Sequence, residues 1–171
     1  MPSKSPLSLF HPPVRAWFDA VFPAPTRPQQ LGWPAIARGE STLILAPTGT
    51  GKTLAAFLWC INRLMFVPVP PRHQRCRVLY ISPIKALAVD IERNLRSPLV
   101  GIAQAARSAG IAFHEPTIAI RTGDTPASER ARFARHPADI LITTPESAFP
   151  PISAARPTTA PSPVSALLLV P

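Results

Sequence analysis

Two periodicities alternate along this chain. Short apolar runs end at polar turns, and between them lie longer stretches in which apolar residues recur every three or four positions. The short runs are Thr42-Leu43-Ile44-Leu45, Arg77–Ile81, Thr117–Arg121 and Asp139–Thr143, and they predict buried strands. The first long stretch, Val14, Trp17, Phe18 and Val21, predicts a helix with Pro13 in its opening turn and Pro23 closing it. A second short helix begins in Pro25-Thr26-Arg27-Pro28-Gln29, carries Leu31, Trp33 and Ile36, and ends at Gly39. Leu54, Phe57, Leu58, Ile61 and Leu64 mark a longer helix opened by Lys52 and Thr53. From Ile84, one helix places Leu87, Ala88, Ile91 and Leu95 on a single face, and another runs from about Leu99 to Ala109. A last, basic helix carries Arg130, Arg132 and Arg135, with Thr125 as its cap and Pro126 at its first position. Strand, helix, strand at these spacings predicts an α/β fold with a parallel sheet flanked by helices and right-handed crossovers.

Composition sharpens this picture in three places. The 171 residues are 46% hydrophobic, enough for one domain with a sizeable core. Lys+Arg 18 against Asp+Glu 9 leaves a net charge of +9, which suits a polyanionic partner such as nucleic acid and equally a generally basic solvated surface. Lysine occurs only as Lys4, Lys52 and Lys85, so arginine carries the bulk charge. Cys60 and Cys76 have neither metal-ligand spacing nor disulfide density, and the four histidines show no ligand pattern. No run approaches the roughly 18 apolar residues of a membrane span, and the expectation is a cytoplasmic protein. Residues 1–9 read as a mobile lead-in, Val67–Arg75 as an exposed basic proline-rich loop, and residues 148–171 as a tail rich in Pro, Ala, Ser and Thr.

The candidate chemistry centres on Ala46-Pro47-Thr48-Gly49-Thr50-Gly51-Lys52-Thr53, which lies between a predicted strand and a predicted helix. In a phosphate-binding loop, backbone N–H groups and a helix N-terminus face the phosphates, the lysine reaches the β/γ-phosphates, and the threonine hydroxyl helps hold Mg²⁺. Ala46 stands where the general pattern has glycine, which leaves Gly49 and Gly51 to supply the unusual backbone angles. The nucleotide-phosphate site expected from this stretch is Thr48, Gly49, Thr50, Gly51, Lys52 and Thr53, with Thr53 on the metal.

Further motifs in order give the chain a family resemblance. These are Phe10-His11-Pro12, Pro25–Gln29 with Gly32–Ile36, Ala46–Leu58, Tyr80–Asp90, Arg121–Thr125 and Thr143–Ser147. Over about residues 10–147 the sequence resembles the first RecA-like lobe of a superfamily 2 DEAD/DEAH-type helicase, most closely of the large helicase-related (Lhr) group. The resemblance implies that the nucleotide is ATP, that Gln29 reads its adenine and that Phe10 stacks on it. It implies that Ser82, Pro83, Lys85, Leu87, Gly123, Asp124, Thr125, Thr144, Pro145 and Glu146 grip a single strand, DNA rather than RNA, through its backbone. It also suggests 3′ to 5′ movement and a repair-linked role.

After Ser147 the resemblance stops. Members of the family continue to a strand ending in Asp-Glu, which serves the Mg²⁺-associated water; residues 148–171 contain no acidic residue, although the run Ala166–Val170 falls near that place. No catalytic residue is therefore assigned within the chain. The expectation is a lobe incomplete at its C-terminus, lacking the second RecA-like lobe, with a tail out of frame or natural to a short protein. The alternatives to a working helicase lobe are a non-catalytic nucleotide- or nucleic-acid-binding module and a non-functional product.

Overall fold

The structure is a computed structural model, and it describes residues 5–83, 85–148 and 165–168. These residues form an α/β fold with a parallel sheet, the class that the two periodicities predict. The chain divides into two compact units, one of residues 1–67 with 97–115 and the other of residues 68–96 with 116–171.

The first unit is helical. A 3-10 turn at Pro6–Leu9 precedes α1 (Pro12–Val21), α2 (Arg27–Ala37) and α3 (Lys52–Phe66). Order thus begins earlier than the expected lead-in allows: Pro6 fixes the opening φ, Ser5 Oγ accepts from the Leu7 N–H, and Leu7 is buried. The core is aromatic. Trp33 lies fully buried, with Phe10 edge-on at 4.8 Å and Phe18 at 5.6 Å, and its indole N–H donates to the Ala55 carbonyl at 3.1 Å. That last bond fixes α2 on α3.

The second unit holds the sheet. Strands β1 (Val78–Ile81), β2 (Ile118–Arg121), β3 (Ile140–Thr143) and β4 (Ser165–Leu168) run parallel in the order β2-β3-β1-β4. β3 is paired on both sides and all four of its residues are buried, as a continuous Ile-Leu-Ile-Thr run requires. β4 overlaps, at Ala166–Leu168, the run that the sequence placed near the strand expected to end in Asp-Glu. Below the sheet's starting edge, Asp139 ties the strands together. Its Oδ2 accepts from both the N–H and the hydroxyl of Thr117 at 2.9 Å, while its carbonyl accepts from Arg77 and Val78 N–H.

Three expectations need correction. Thr42–Leu45 is not a strand: no strand pairs with it among the described residues, and Leu43 and Leu45 are 80% and 84% exposed. A strand needs a neighbour to take its N–H and C=O groups, and apolar content does not supply one. The helices expected on either side of Pro98 are one helix, α4 (Lys85–Ser108). Proline removes one hydrogen bond there, while Ala88, Ile91, Leu95, Pro98, Ile102 and Ala106 keep a continuous buried stripe. The helix α5 (Ala127–Arg135) is not capped by Thr125, whose hydroxyl instead accepts from the Thr122 N–H at 2.8 Å and closes the turn before it.

Candidate nucleotide and strand sites

The phosphate-loop residues lie in the first unit. Gly49 and Gly51 both have φ of 80°, the left-handed region that glycine enters without penalty, and Gly51 is the residue before α3. The opening N–H groups of α3 therefore have no partner from within the helix and face the loop. Thr50 donates to the Pro47 carbonyl at 2.7 Å, and the Lys52 ammonium donates back to the Ala46 carbonyl. The lysine is thus held over the loop, with its charge on a carbonyl that a phosphate oxygen could replace. Glycines at both bends, a helix start and a cation above them fit a phosphate group. Thr48 is exposed and Thr53 half-buried at the helix opening.

Gln29 is 2% exposed and sits directly against this loop. Its Oε1 accepts from the Thr26 N–H at 2.9 Å, and its Nε2 donates to the Gly51 carbonyl at 3.4 Å. A Cβ at Gly51 would stand 2.6 Å from that Nε2, so glycine is required there for space as well as for φ. Phe10 is different. It is 3% exposed and packs edge-on against Trp33 and Trp59, so the structure makes it part of the aromatic core and gives no support to stacking on a base.

The expected strand-gripping residues lie in the second unit, and the sheet brings three of their loops together. Ile81, Thr143 and Arg121 are in one register across β1, β3 and β2. Ser82-Pro83, Thr144-Pro145-Glu146 and Thr122–Thr125 therefore leave the sheet side by side at its carboxyl end, spread over roughly 10 Å at ordinary strand spacing. Ser82 is fully buried and donates its N–H to the Thr143 carbonyl at 2.8 Å. Thr144 is buried, and its hydroxyl donates to Glu146 Oε1 at 2.6 Å. Pro83, Gly123, Asp124, Pro145 and Glu146 are exposed, and nothing lies within 4 Å of a Cβ built on Gly123. Leu87 is half-buried on α4, and the side chain of Lys85 lies outside the described residues.

Sequence reasoning missed Asp139, which ties the strands at their starting edge, the end opposite these loops. It is fully buried, with Arg77 and Arg75 guanidinium nitrogens at 3.6 and 3.7 Å from Oδ1. The signal was an acid placed immediately before an otherwise apolar strand. Beside Asp139, burial and then the Asp139 charge push the Cys76 thiol up to about 11; in the first unit, burial pushes Cys60 up to about 12. Neither is a reactive thiolate at neutral pH.

A glycine-bent loop at a helix start whose geometry fits a phosphate, on a chain whose parallel strands end in aligned polar loops, has the pattern of the P-loop proteins of the α/β class. Residues 26–164 match the DEAD/DEAH box helicase family, and the chain belongs to it. Lhr helicases are among its relatives. It is 51% identical over 144 residues to an Lhr helicase of Mycolicibacterium smegmatis and 48% identical over 153 residues to the Lhr helicase/uracil glycosylase of Escherichia coli, covering 84% and 86% of this chain. The chain spans 10% of the length of each of these relatives. Among solved structures, the Mycobacterium smegmatis helicase Lhr bound to ssDNA and AMP-PNP matches with a TM-score of 0.82 and 50% identity, over 90% of this chain and 19% of that one. Among the described residues, no helix is long and apolar enough to cross a membrane.

Proposed function

We propose that this chain is the nucleotide-holding and strand-gripping part of an ATP-dependent helicase of the Lhr type, working on single-stranded DNA. The observation that carries the reading is the register of β1, β3 and β2, which aligns Ser82-Pro83, Thr144–Glu146 and Gly123–Thr125 at one edge. Support comes from the related Lhr helicase whose structure holds ssDNA and AMP-PNP.

ATP with Mg²⁺ would supply the free energy of phosphoryl transfer. The residues of this chain bind and orient. Lys52 gives up the Ala46 carbonyl for phosphate oxygens, the N–H groups of Gly49 through Thr53 cradle the phosphates, and the Thr53 hydroxyl takes a place on Mg²⁺. Gln29 exchanges its hold on Gly51 for the adenine edge, which couples base recognition to the shape of the loop. On the strand side, small and polar residues allow phosphates close to backbone N–H groups. Such contacts read the sugar-phosphate backbone, so binding is expected to be insensitive to base sequence and weakened by salt.

The test is binding by fluorescence anisotropy, with a fluorescent ATP analogue and a single-stranded DNA oligonucleotide as separate ligands. Lys52→Ala should lower nucleotide affinity by about tenfold or more and leave strand binding unchanged, since it removes one charge-assisted contact. Gly123→Glu should do the reverse, because the open site accepts the side chain while its charge repels phosphate. Wild-type affinities unaltered by both substitutions would overturn the reading.

A further inference from the structure

The second unit carries a feature that the strand-gripping loops do not use. A groove of about 670 Å³ lies along β2 beneath α5. Its floor is the edge strand, all four of whose residues are only half-buried, in contrast to the sealed β3. Its roof is a helix with no buried residue, from which Phe133 lines the groove. Arg121, Arg130 and Arg132 line it as well, and among the described residues no carboxylate is within ion-pair distance of any of these three. Two carboxylates, Glu92 and Glu129, share the lining, and Glu92 is engaged by Arg96 at 2.5 Å. The balance is positive.

We propose that this groove takes the phosphodiester backbone of the DNA strand after it leaves the loops at the carboxyl end of the sheet. Two observations choose that occupant. First, the groove is continuous with the strand-gripping edge: Thr125 belongs to the loop and lines the groove, and Arg121 is the last residue of β2 before that loop. A polyanion passing over Gly123–Thr125 meets Arg121 next. Second, the cations are arginines, whose planar forks match phosphate oxygens in pairs, and the aromatic Phe133 offers a base a surface. The groove is thus an extension of the binding surface toward the starting edge of the sheet, where His136 lines its far end. It adds affinity through charge without adding sequence preference.

The inference rests on the strand-binding reading above, and the experiment separates the two. Arg130→Gln/Arg132→Gln changes two exposed residues on α5, and thermal melting checks that the fold is kept. Affinity is measured against salt for single-stranded DNA of about 6 and about 20 nucleotides, the short one filling the loops alone. For the long strand, the double variant should flatten the log–log salt dependence by about 1 to 1.5, at roughly 0.7 per lost phosphate contact. The short strand should be unaffected. Gly123→Glu should weaken both lengths. If Gly123→Glu weakens both and the double arginine variant leaves both slopes unchanged, the groove proposal fails alone; if Gly123→Glu changes neither, the strand reading fails first. A poly-glutamate peptide is the third ligand. Loss of its binding in the arginine variant, with the DNA slopes intact, would make the groove a site for acidic peptide and overturn the proposal.

Discussion

Two four-residue runs in this protein look alike and end up in opposite surroundings. Ile140-Leu141-Ile142-Thr143 and Thr42-Leu43-Ile44-Leu45 are both largely apolar, and both lead into a polar loop that carries candidate chemistry. The first is β3, flanked by β1 and β2 and between 0% and 3% exposed along its length. The second has no strand beside it among the described residues. It lays Ile44 toward Gly32 of α2, where a Cβ would meet the Ile44 side chain at 3.2 Å, and turns Leu43 and Leu45 outward. Apolar residues create the demand for cover, and only a neighbour on each side meets it. The same amount of hydrophobic sequence therefore stabilises one run strongly and the other hardly at all.

The comparison can be broken most sharply inside β3. Ile142→Ala removes a fully buried side chain held on both sides, and the expected loss is about 2–5 kcal/mol of unfolding free energy by urea titration. A loss as small as that of an exposed residue would mean that β3 is not the centre of the sheet. Next in size is a close-packed point in the first unit. A Cβ at Gly101 would stand 2.3 Å from Trp17 ring atoms, so Gly101→Ala should cost about 1–3 kcal/mol despite alanine's better helix propensity. A stabilised Gly101→Ala protein in thermal melting would show that this contact yields readily. The smallest effect belongs to the exposed run. Leu43→Ser/Leu45→Ser should change stability by no more than about 0.5 kcal/mol, while lowering self-association in sedimentation and the fluorescence of a hydrophobic dye. A destabilisation comparable to Ile142→Ala would show that the run is buried in solution and would erase the difference between the two.

Much of the candidate site's local geometry was legible because its determinants are local. Gly49 and Gly51 announce left-handed backbone by their residue type, and the structure gives both a φ of 80°. Lys52 and Thr53 open a helix whose apolar spacing is visible from Leu54 onward. The strands β1, β2 and β3 were legible to within a residue at their starts, since each is a dense apolar run bounded by polar residues. What escaped depended on residues distant in sequence. Phe10 reads as an available aromatic until Trp33 and Trp59 enclose it. Thr125 reads as a helix cap until the turn at Thr122 claims its hydroxyl. Asp139 is unremarkable beside Ala138 and Ile140, and it becomes an anchor only when Thr117, 22 residues earlier, arrives at its carboxylate.

By itself, the sequence determined the chemistry on offer: a glycine-bent loop before a helix, apolar runs that must be covered, and an arginine-rich surface with a net charge of +9. The tertiary structure decided which runs were covered and which loops became neighbours. Hydrogen-bond ladders and burial need a second segment. Parallel register places Ile81, Thr143 and Arg121 in line across three strands whose order, β2-β3-β1, is not their order in the chain. Backbone angles are set residue by residue, whereas a shared edge exists only after distant strands have paired.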